Sequence, residues 1–336
     1  MNLPFPSPCP PNQFLAHLPP TPLVPVQLGE GEPVIWCKLE FLNPSGSTKD
    51  RIARTIVTKA LRRGALQRGD LVVEASSGST SISLAQTCAQ LGLRFLAFIP
   101  SSATNERALM IRAYGGEVRR VEGTMPEVIE QAAAFAEREG AFAACQFENP
   151  DNTAAHCNET AREILAQLPY HRVDAVVSGV GTGGSLVGLH QGLTAAGCSP
   201  LAVAAIPKCG EGMPSCVECC SLEFSRKVPG VIDGCSKIYS DWKETNPQLV
   251  ELPVADGDCL EVTKKLWKLG FPVGPSSGLN LQAALRSLEL LPENSVVVTV
   301  FPDRMERYFS HPVFAHLMVE MAEENGVTEP VEALCC

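Results

Sequence analysis

Val173-Asp174-Ala175-Val176-Val177-Ser178-Gly179-Val180-Gly181-Thr182-Gly183-Gly184-Ser185-Leu186-Val187-Gly188-Leu189 changes character twice along its length. Val173 to Ser178 is a short apolar, β-branched run of the kind that forms a buried strand. Gly179 to Ser185 is dominated by glycine, and from Leu186 to Ala196 apolar residues return at helical spacing. Strand, glycine loop and helix in that order make half of a parallel crossover unit. A glycine-rich helix start offers unpaired backbone N–H groups at the positive end of the helix dipole, which suits a phosphate. Gly179, Gly181 and Gly184 also satisfy GxGxxG, the pattern of dinucleotide-binding loops. That pattern wants a carboxylate about 20 residues on, at the end of the next strand. Ile206-Pro207-Lys208 stands there instead, so the loop suits a single phosphate better than a nicotinamide or flavin cofactor. A purely structural glycine turn is the other reading.

The same alternation extends outward from about residue 70 to 300. Strands are predicted at Leu71 to Glu74, Arg94 to Ile99, Val118 to Val121, Phe142 to Phe147, Val173 to Ser178, Leu201 to Ile206 and Val296 to Phe301. Helices are predicted at Asp50 to Arg63, Thr80 to Leu91, Glu106 to Tyr114, Glu127 to Glu139, Thr153 to Leu168, Leu186 to Ala196, Glu261 to Leu269 and Leu279 to Leu291. The fold class is α/β with mostly parallel sheets. Lys208 to Trp242, rich in Cys, Gly, Ser and Pro, breaks the alternation, and the Pro-rich first 25 residues read as an extended arm. Open α/β sheets bind ligands beyond the carboxyl ends of their strands, so the loops after Glu74, Phe147 and Ser178, and the one before Leu279, are expected to converge.

With 336 residues, 45% hydrophobic and 19% charged, the chain can bury a large core and reads as a globular protein of two ordinary domains. A net charge of -10 leaves no basic surface for nucleic acid. Neither a membrane span nor a secretory signal is legible, and the cytoplasm is the expected location. Most of the 14 cysteines, such as Cys37, Cys88, Cys145 and Cys157, sit in apolar or helical settings that suit reduced thiols.

Lys38-Leu39-Glu40-Phe41-Leu42-Asn43-Pro44-Ser45-Gly46-Ser47-Thr48-Lys49-Asp50-Arg51 runs through turn signals into a helix, with Ser47 and Asp50 spaced as a capping box. The helix dipole and partial burial both disfavour an ammonium on Lys49, and a neutral amine can form a Schiff base with an aldehyde. Taken alone, these residues suit an ordinary surface lysine as well. Two further loops open helices. Ser76-Ser77-Gly78-Ser79-Thr80-Ser81 can hold a carboxylate or a phenolic oxygen, and Gly274-Pro275-Ser276-Ser277-Gly278 places a serine at a helix start. Helix caps would look the same.

Together with Thr21-Pro22-Leu23-Val24, Gln146-Phe147-Glu148-Asn149-Pro150 and Glu306-Arg307-Tyr308, these segments resemble, over nearly the whole chain, the fold-type II pyridoxal phosphate enzymes, in particular the cysteine synthase and cystathionine β-synthase group. The resemblance implies a tryptophan synthase β-subunit-like architecture of two doubly wound domains. Residues 1–40 with 151–325 would form the larger, cofactor-phosphate domain, residues 41–150 the smaller, substrate-carboxylate domain, and 326–336 a tail. It implies Lys49 as the Schiff-base lysine and proton shuttle, and Gly181, Thr182, Gly183, Gly184 and Ser185 as the phosphate loop. Ser76, Ser77, Ser79 and Thr80 with Gln146 would hold the substrate carboxylate and the cofactor's phenolic side, Ser79 facing the cofactor. Ser276 would sit at the pyridine nitrogen. A serine is too weak an acid to protonate that nitrogen, so the electron sink is weak and loss of a β-substituent is favoured.

The implied function is β-replacement on an activated serine-type amino acid through an aminoacrylate, with a small-molecule nucleophile, in a homodimer. A β-eliminating serine or cysteine lyase or desulfhydrase is the alternative within the class, and a metal- or redox-sensing protein on the same fold the alternative outside it. Two departures stand out. Ser79 occupies a position where the family usually has asparagine, and Cys209, Cys216, Cys219 and Cys220 cluster within a short stretch, with Cys235 further on. The thiols are candidates for a metal or an iron-sulfur cluster, although the spacing favours a reduced or redox-sensitive group. His156 reads as structural.

Overall fold

Alternate residues of the strands between Leu71 and Ala143 are committed to opposite faces of one sheet, and both faces are apolar. The computed structural model describes residues 14, 15, 18–208, 236–310 and 314. Strands β1 (Leu23–Val26), β2 (Ile35–Lys38), β7 (Ala175–Gly179), β8 (Leu201–Lys208), β9 (Val250–Ala255) and β10 (Val297–Val300) form a six-stranded sheet in the order β1-β2-β10-β7-β8-β9. Strands β3 (Leu71–Ala75), β4 (Arg94–Pro100), β5 (Glu117–Val121) and β6 (Phe142–Ala143) form a parallel four-stranded sheet, β5-β4-β3-β6.

On the smaller sheet, Val72, Phe95, Ala97 and Ile99 pack under helices α1 (Lys49–Arg62), α2 (Ser79–Leu91) and α3 (Asn105–Ala113). Val73, Ala75, Leu96 and Phe98 pack against α4 (Met125–Glu139) on the other face. The larger sheet is covered likewise. Val177, Val203 and Val297 meet α9 (Asp256–Lys268) and α10 (Pro275–Ser287), while Val176, Ala204 and Val298 meet α6 (Ala161–Gln167) and α7 (Gly184–Ala195). Burial on both faces is why these strands read as continuous apolar runs rather than alternating ones.

Several predicted bounds are corrected. Leu23 to Val26, whose first three residues close the segment read as an extended arm, is an edge strand antiparallel to β2, with Leu23 opposite Lys38. The strand expected over Phe142 to Phe147 ends at Ala143, because Cys145 turns to φ 52° and its carbonyl accepts from the N–H groups of Glu148 and Asn149. The helix expected from Thr153 starts at α5 (Pro150–Ala155), where Asn149 caps the N–H of Asp151, and it passes through a π turn at His156–Thr160 before α6. Strand β9 escaped the sequence reading because Pro253 interrupts it, which its edge position tolerates. Helix α8 (Lys237–Thr245) lies within or just past the segment read as irregular. Among the described residues no helix is long and apolar enough to cross a membrane.

Candidate active site

A cleft of about 800 Å³, counting its open mouth, lies where the carboxyl ends of the two sheets face one another. Ser47 to Lys49, the loop at Ser77 to Thr80, Gln146 and Phe147, the loop from Ser178 to Ser185, and Ser276 all line it. Asn280, Val300, Pro302 and Asp303 complete the wall.

Lys49 begins α1 beside a short strand-like pairing with the far end of the chain. The Thr48 N–H donates to the Pro302 carbonyl at 2.8 Å, that of Arg304 donates to Gly46 at 3.1 Å, and Ser47 lies opposite Asp303. The capping box expected from Ser47 and Asp50 does not form. The Asp50 carboxylate instead accepts from the Ser45 N–H at 2.7 Å, from the Ser45 hydroxyl and from the Ser83 hydroxyl at 2.5 Å, tying α1 to α2. The Lys49 amine has no hydrogen-bond or ion-pair partner among the described residues. Burial pushes its pKa below the ordinary lysine value, with Asp303 acting the other way and Arg307 adding to the fall. Burial thereby makes the neutral amine easier to reach at the floor of the cleft than in water.

The glycine loop turns at Gly183, φ 76°, into α7. The first N–H groups of that helix have no partner within it, and Gly183 and Ser185 at its start line the cleft. A Cβ on Gly184 would overlap Asn152 Oδ1, and Asn152 Nδ2 donates to Thr182 Oγ1 at 2.9 Å, so the loop is pressed onto α5. The Ser185 hydroxyl lies 3.1 Å from His156 Nε2, and His156 Nδ1 lies 3.0 Å from the Thr160 hydroxyl. Burial holds the His156 pKa down at about 3, so the ring is neutral and one nitrogen donates while the other accepts. A lone histidine gave no hint in sequence of this place behind the loop.

In the serine loop, Gly78 takes φ 136° against Arg107. Ser76 does not face the cleft. Its hydroxyl accepts from the Gly78 N–H at 2.8 Å and shapes the loop from behind. The Thr80 hydroxyl donates to Gln146 Oε1 at 2.5 Å, and Gln146 Nε2 donates to the Ala75 carbonyl at 2.7 Å, which fixes the amide. Beneath them Glu74 accepts from the N–H groups of Ala75 and Gln146, and burial pushes its carboxyl up to about 8. Ser79 Oγ accepts from Arg307 Nη1 at 2.9 Å.

Ser276 is buried in the first turn of α10. One turn on, Asn280 accepts from the Gly179 N–H at 2.6 Å and donates to the Val300 carbonyl at 2.8 Å, joining this helix to both β7 and β10. Of the predicted residues, Lys49, Ser77, Ser79, Thr80, Gln146, Gly181, Thr182, Gly183, Ser185 and Ser276 share the cleft, while Ser76 and Gly184 stand behind its wall. Asp303 and Asn280 were missed. Asp303 follows the carboxyl end of a parallel strand, the position that pointed to the other loops, and Asn280 carries no local signal. Cys209, Cys216, Cys219, Cys220 and Cys235 lie outside the described residues, among which no cluster of His, Cys, Asp and Glu could hold a metal.

A model of the pyridoxal-phosphate dependent enzyme family matches residues 15–303. The cysteine synthase of Staphylococcus aureus is 33% identical over 290 residues, 84% of this chain and 89% of that protein. The O-ureido-L-serine synthase of Streptomyces lavendulae is 34% identical over 313 residues, 90% and 92% of the two chains. The crystal structure of the cysteine synthase of Entamoeba histolytica superposes with a TM-score of 0.76 at 31% identity, covering 94% of each chain. A match over most of the length joins the lysine, the phosphate-type loop and the serine loop in one scaffold. The chain belongs to the pyridoxal-phosphate dependent enzymes, in their cysteine synthase and cystathionine β-synthase group.

Proposed function

We propose that the chain replaces the β-substituent of an activated serine-type amino acid with a nucleophile, as a cysteine synthase does with sulfide. The observation that carries this reading is the half-buried amine of Lys49, without a hydrogen-bond partner among the described residues, in one cleft with a helix N-terminus and a hydroxyl-lined loop. The residues fit pyridoxal 5'-phosphate: the loop at Gly181 to Ser185 offers N–H groups and two hydroxyls, and Gly184 admits a backbone approach that a Cβ would block. When bound, that group supplies the electron sink for bond breaking at the substrate α-carbon.

The chain's own residues do the rest. Gly181, Thr182, Gly183 and Ser185 bind the phosphate, with Gly184 packed behind them. Ser77 and the backbone N–H of Thr80 hold the substrate carboxylate in a loop shaped by Ser76 and Gln146, and Ser79 addresses the phenolic side. Ser276, neutral and weakly acidic, accompanies the ring nitrogen without charging it, which favours loss of the β-group over racemisation. Lys49 anchors the cofactor and, as a neutral amine, takes the proton from the substrate α-carbon. The reading includes a cytoplasmic homodimer, with residues 1–40 and 151–325 as the larger domain and 41–150 as the smaller; the grouping of strands into two sheets supports the division.

The test is an assay of the holoprotein with O-acetyl-L-serine, with and without sulfide, measuring cysteine against pyruvate. Cysteine is expected to appear and pyruvate to fall as sulfide is added, and Lys49→Ala to lower turnover by at least about a hundredfold. Pyruvate unsuppressed by sulfide would overturn replacement in favour of elimination.

A further inference from the structure

The Ser79 hydroxyl sits between a cation and an anion that are both fixed. Arg307 is 2% exposed. Its Nη1 donates to Ser79 Oγ at 2.9 Å, its Nη2 donates to the Ser45 carbonyl at 2.5 Å, and its own carbonyl accepts from the Thr104 hydroxyl at 3.1 Å. On the other side lies Asp303 Oδ2, 3.4 Å from Ser79 Oγ and already receiving the Tyr308 hydroxyl at 2.5 Å. An arginine can only donate, so Ser79 spends a lone pair on Arg307 and cannot point its hydrogen there. A 3.4 Å contact is long for O–H···O, and the anion at its far end is shared with tyrosine. The Ser79 hydrogen therefore goes to any acceptor in the cleft that comes to ordinary distance.

Resting on the reading above, we propose that Arg307 makes Ser79 an obligate hydrogen-bond donor to the cofactor's phenolic oxygen, with Asp303 holding the hydrogen when that oxygen is absent. Ser79 thereby does the work of the side-chain amide N–H usual at this position. Arg307 and Asp303 are positioning residues, acting through the serine. A donor at the phenolic oxygen stabilises its ionised form, which absorbs in the visible, over the neutral form, which absorbs in the near ultraviolet. Polarisation by a guanidinium strengthens the serine as a donor.

The test reads the ratio of the two absorbance bands in the dialysed holoprotein. Ser79→Ala is expected to lower the visible-to-ultraviolet ratio at least about threefold, the equivalent of one ordinary hydrogen bond, and Ser79→Asn to keep it. Arg307→Lys should lower the ratio with Ser79 present and leave it unchanged in the Ser79→Asn background, since the arginine then has no serine to act through. An unchanged ratio in Ser79→Ala, or an equal effect of Arg307→Lys in both backgrounds, overturns the relay. Should Arg307→Lys fail to fold, the comparison of Ser79→Ala with Ser79→Asn decides alone. A wild-type holoprotein with no visible band that borohydride fixes on Lys49 overturns the cofactor reading itself, an outcome distinct from a coloured protein indifferent to Ser79.

Discussion

His156 links a buried ring to the loop that holds phosphate, and its burial has a cost that pH can expose. Its pKa falls from the usual 6.5 to about 3, chiefly through loss of solvation. The unfolded chain therefore binds a proton between those values that the folded chain refuses. Stability from this group is complete above pH 6.5 and is lost as pH falls toward 3. Between pH 7 and pH 5 the loss amounts to about 2 kcal/mol. Urea unfolding at those two pH values should show it in the wild type and a correspondingly smaller loss in His156→Gln. Parallel losses in both proteins would show that the ring is not held neutral. Lys49, Ser276 and the hydroxyl loop were legible because each sits in a local pattern: turn, helix start, or glycine with hydroxyl neighbours. His156, Asn280 and Asp303 were not, because their roles come from groups far along the chain, such as Asp303 against Ser79.

Helix α7 carries the phosphate loop and is seated by the absence of side chains. A Cβ on Gly188 would overlap the Thr153 carbonyl and stand 2.8 Å from His156 Cβ, and one on Gly192 would stand 2.7 Å from the Cys157 carbonyl. In an exposed helix Gly→Ala gains about 1 kcal/mol of propensity, whereas overpacking against fixed atoms costs about 1–3 kcal/mol. Here the obstacle is backbone, which cannot rotate away, so the clash outweighs the gain. Gly188→Ala is expected to lower stability by about 1–2 kcal/mol and to weaken cofactor retention, read by denaturant unfolding and by absorbance after dialysis. A stabilised variant with full retention would refute the seating. The strands and helices that pack on both faces were readable from apolar runs. Three of the missed or misplaced elements turn on exceptions to those runs: Pro253 within β9, a positive φ at Cys145 and Pro150 at the first turn of α5.

Arg51, two residues beyond Lys49, joins the helix of the smaller sheet to the body of the larger one. Its guanidinium pairs with Glu40 through Nε and Nη2, both at 2.7 Å, and with Glu163 through Nη1 at 2.6 Å and Nη2 at 2.7 Å. Lys38 on β2 pairs with the same Glu163 at 2.8 Å, and the Thr21 hydroxyl donates to Glu40 at 2.6 Å. Burial alone would push Glu40 up, but the charge and hydrogen bonds of Arg51 outweigh it and hold the carboxyl down at about 2. That contribution is complete above the ordinary carboxylate pKa of 4.5 and is lost progressively as pH falls from there toward 2, so it leaves the His156 comparison between pH 7 and pH 5 untouched. Removing one partner of such a pair strands the other in a dry site, at about 3–5 kcal/mol, whereas an apolar replacement of both costs far less. Arg51→Met is expected to lower unfolding stability by that amount and to loosen the start of α1, seen as reduced cofactor retention at Lys49. Arg51→Met with Glu40→Leu should recover much of the stability, because no buried carboxylate is then left unpaired. A double variant as unstable as the sum of the single changes would mean that the charges act independently, and that the cluster does not join the two sheets through Arg51.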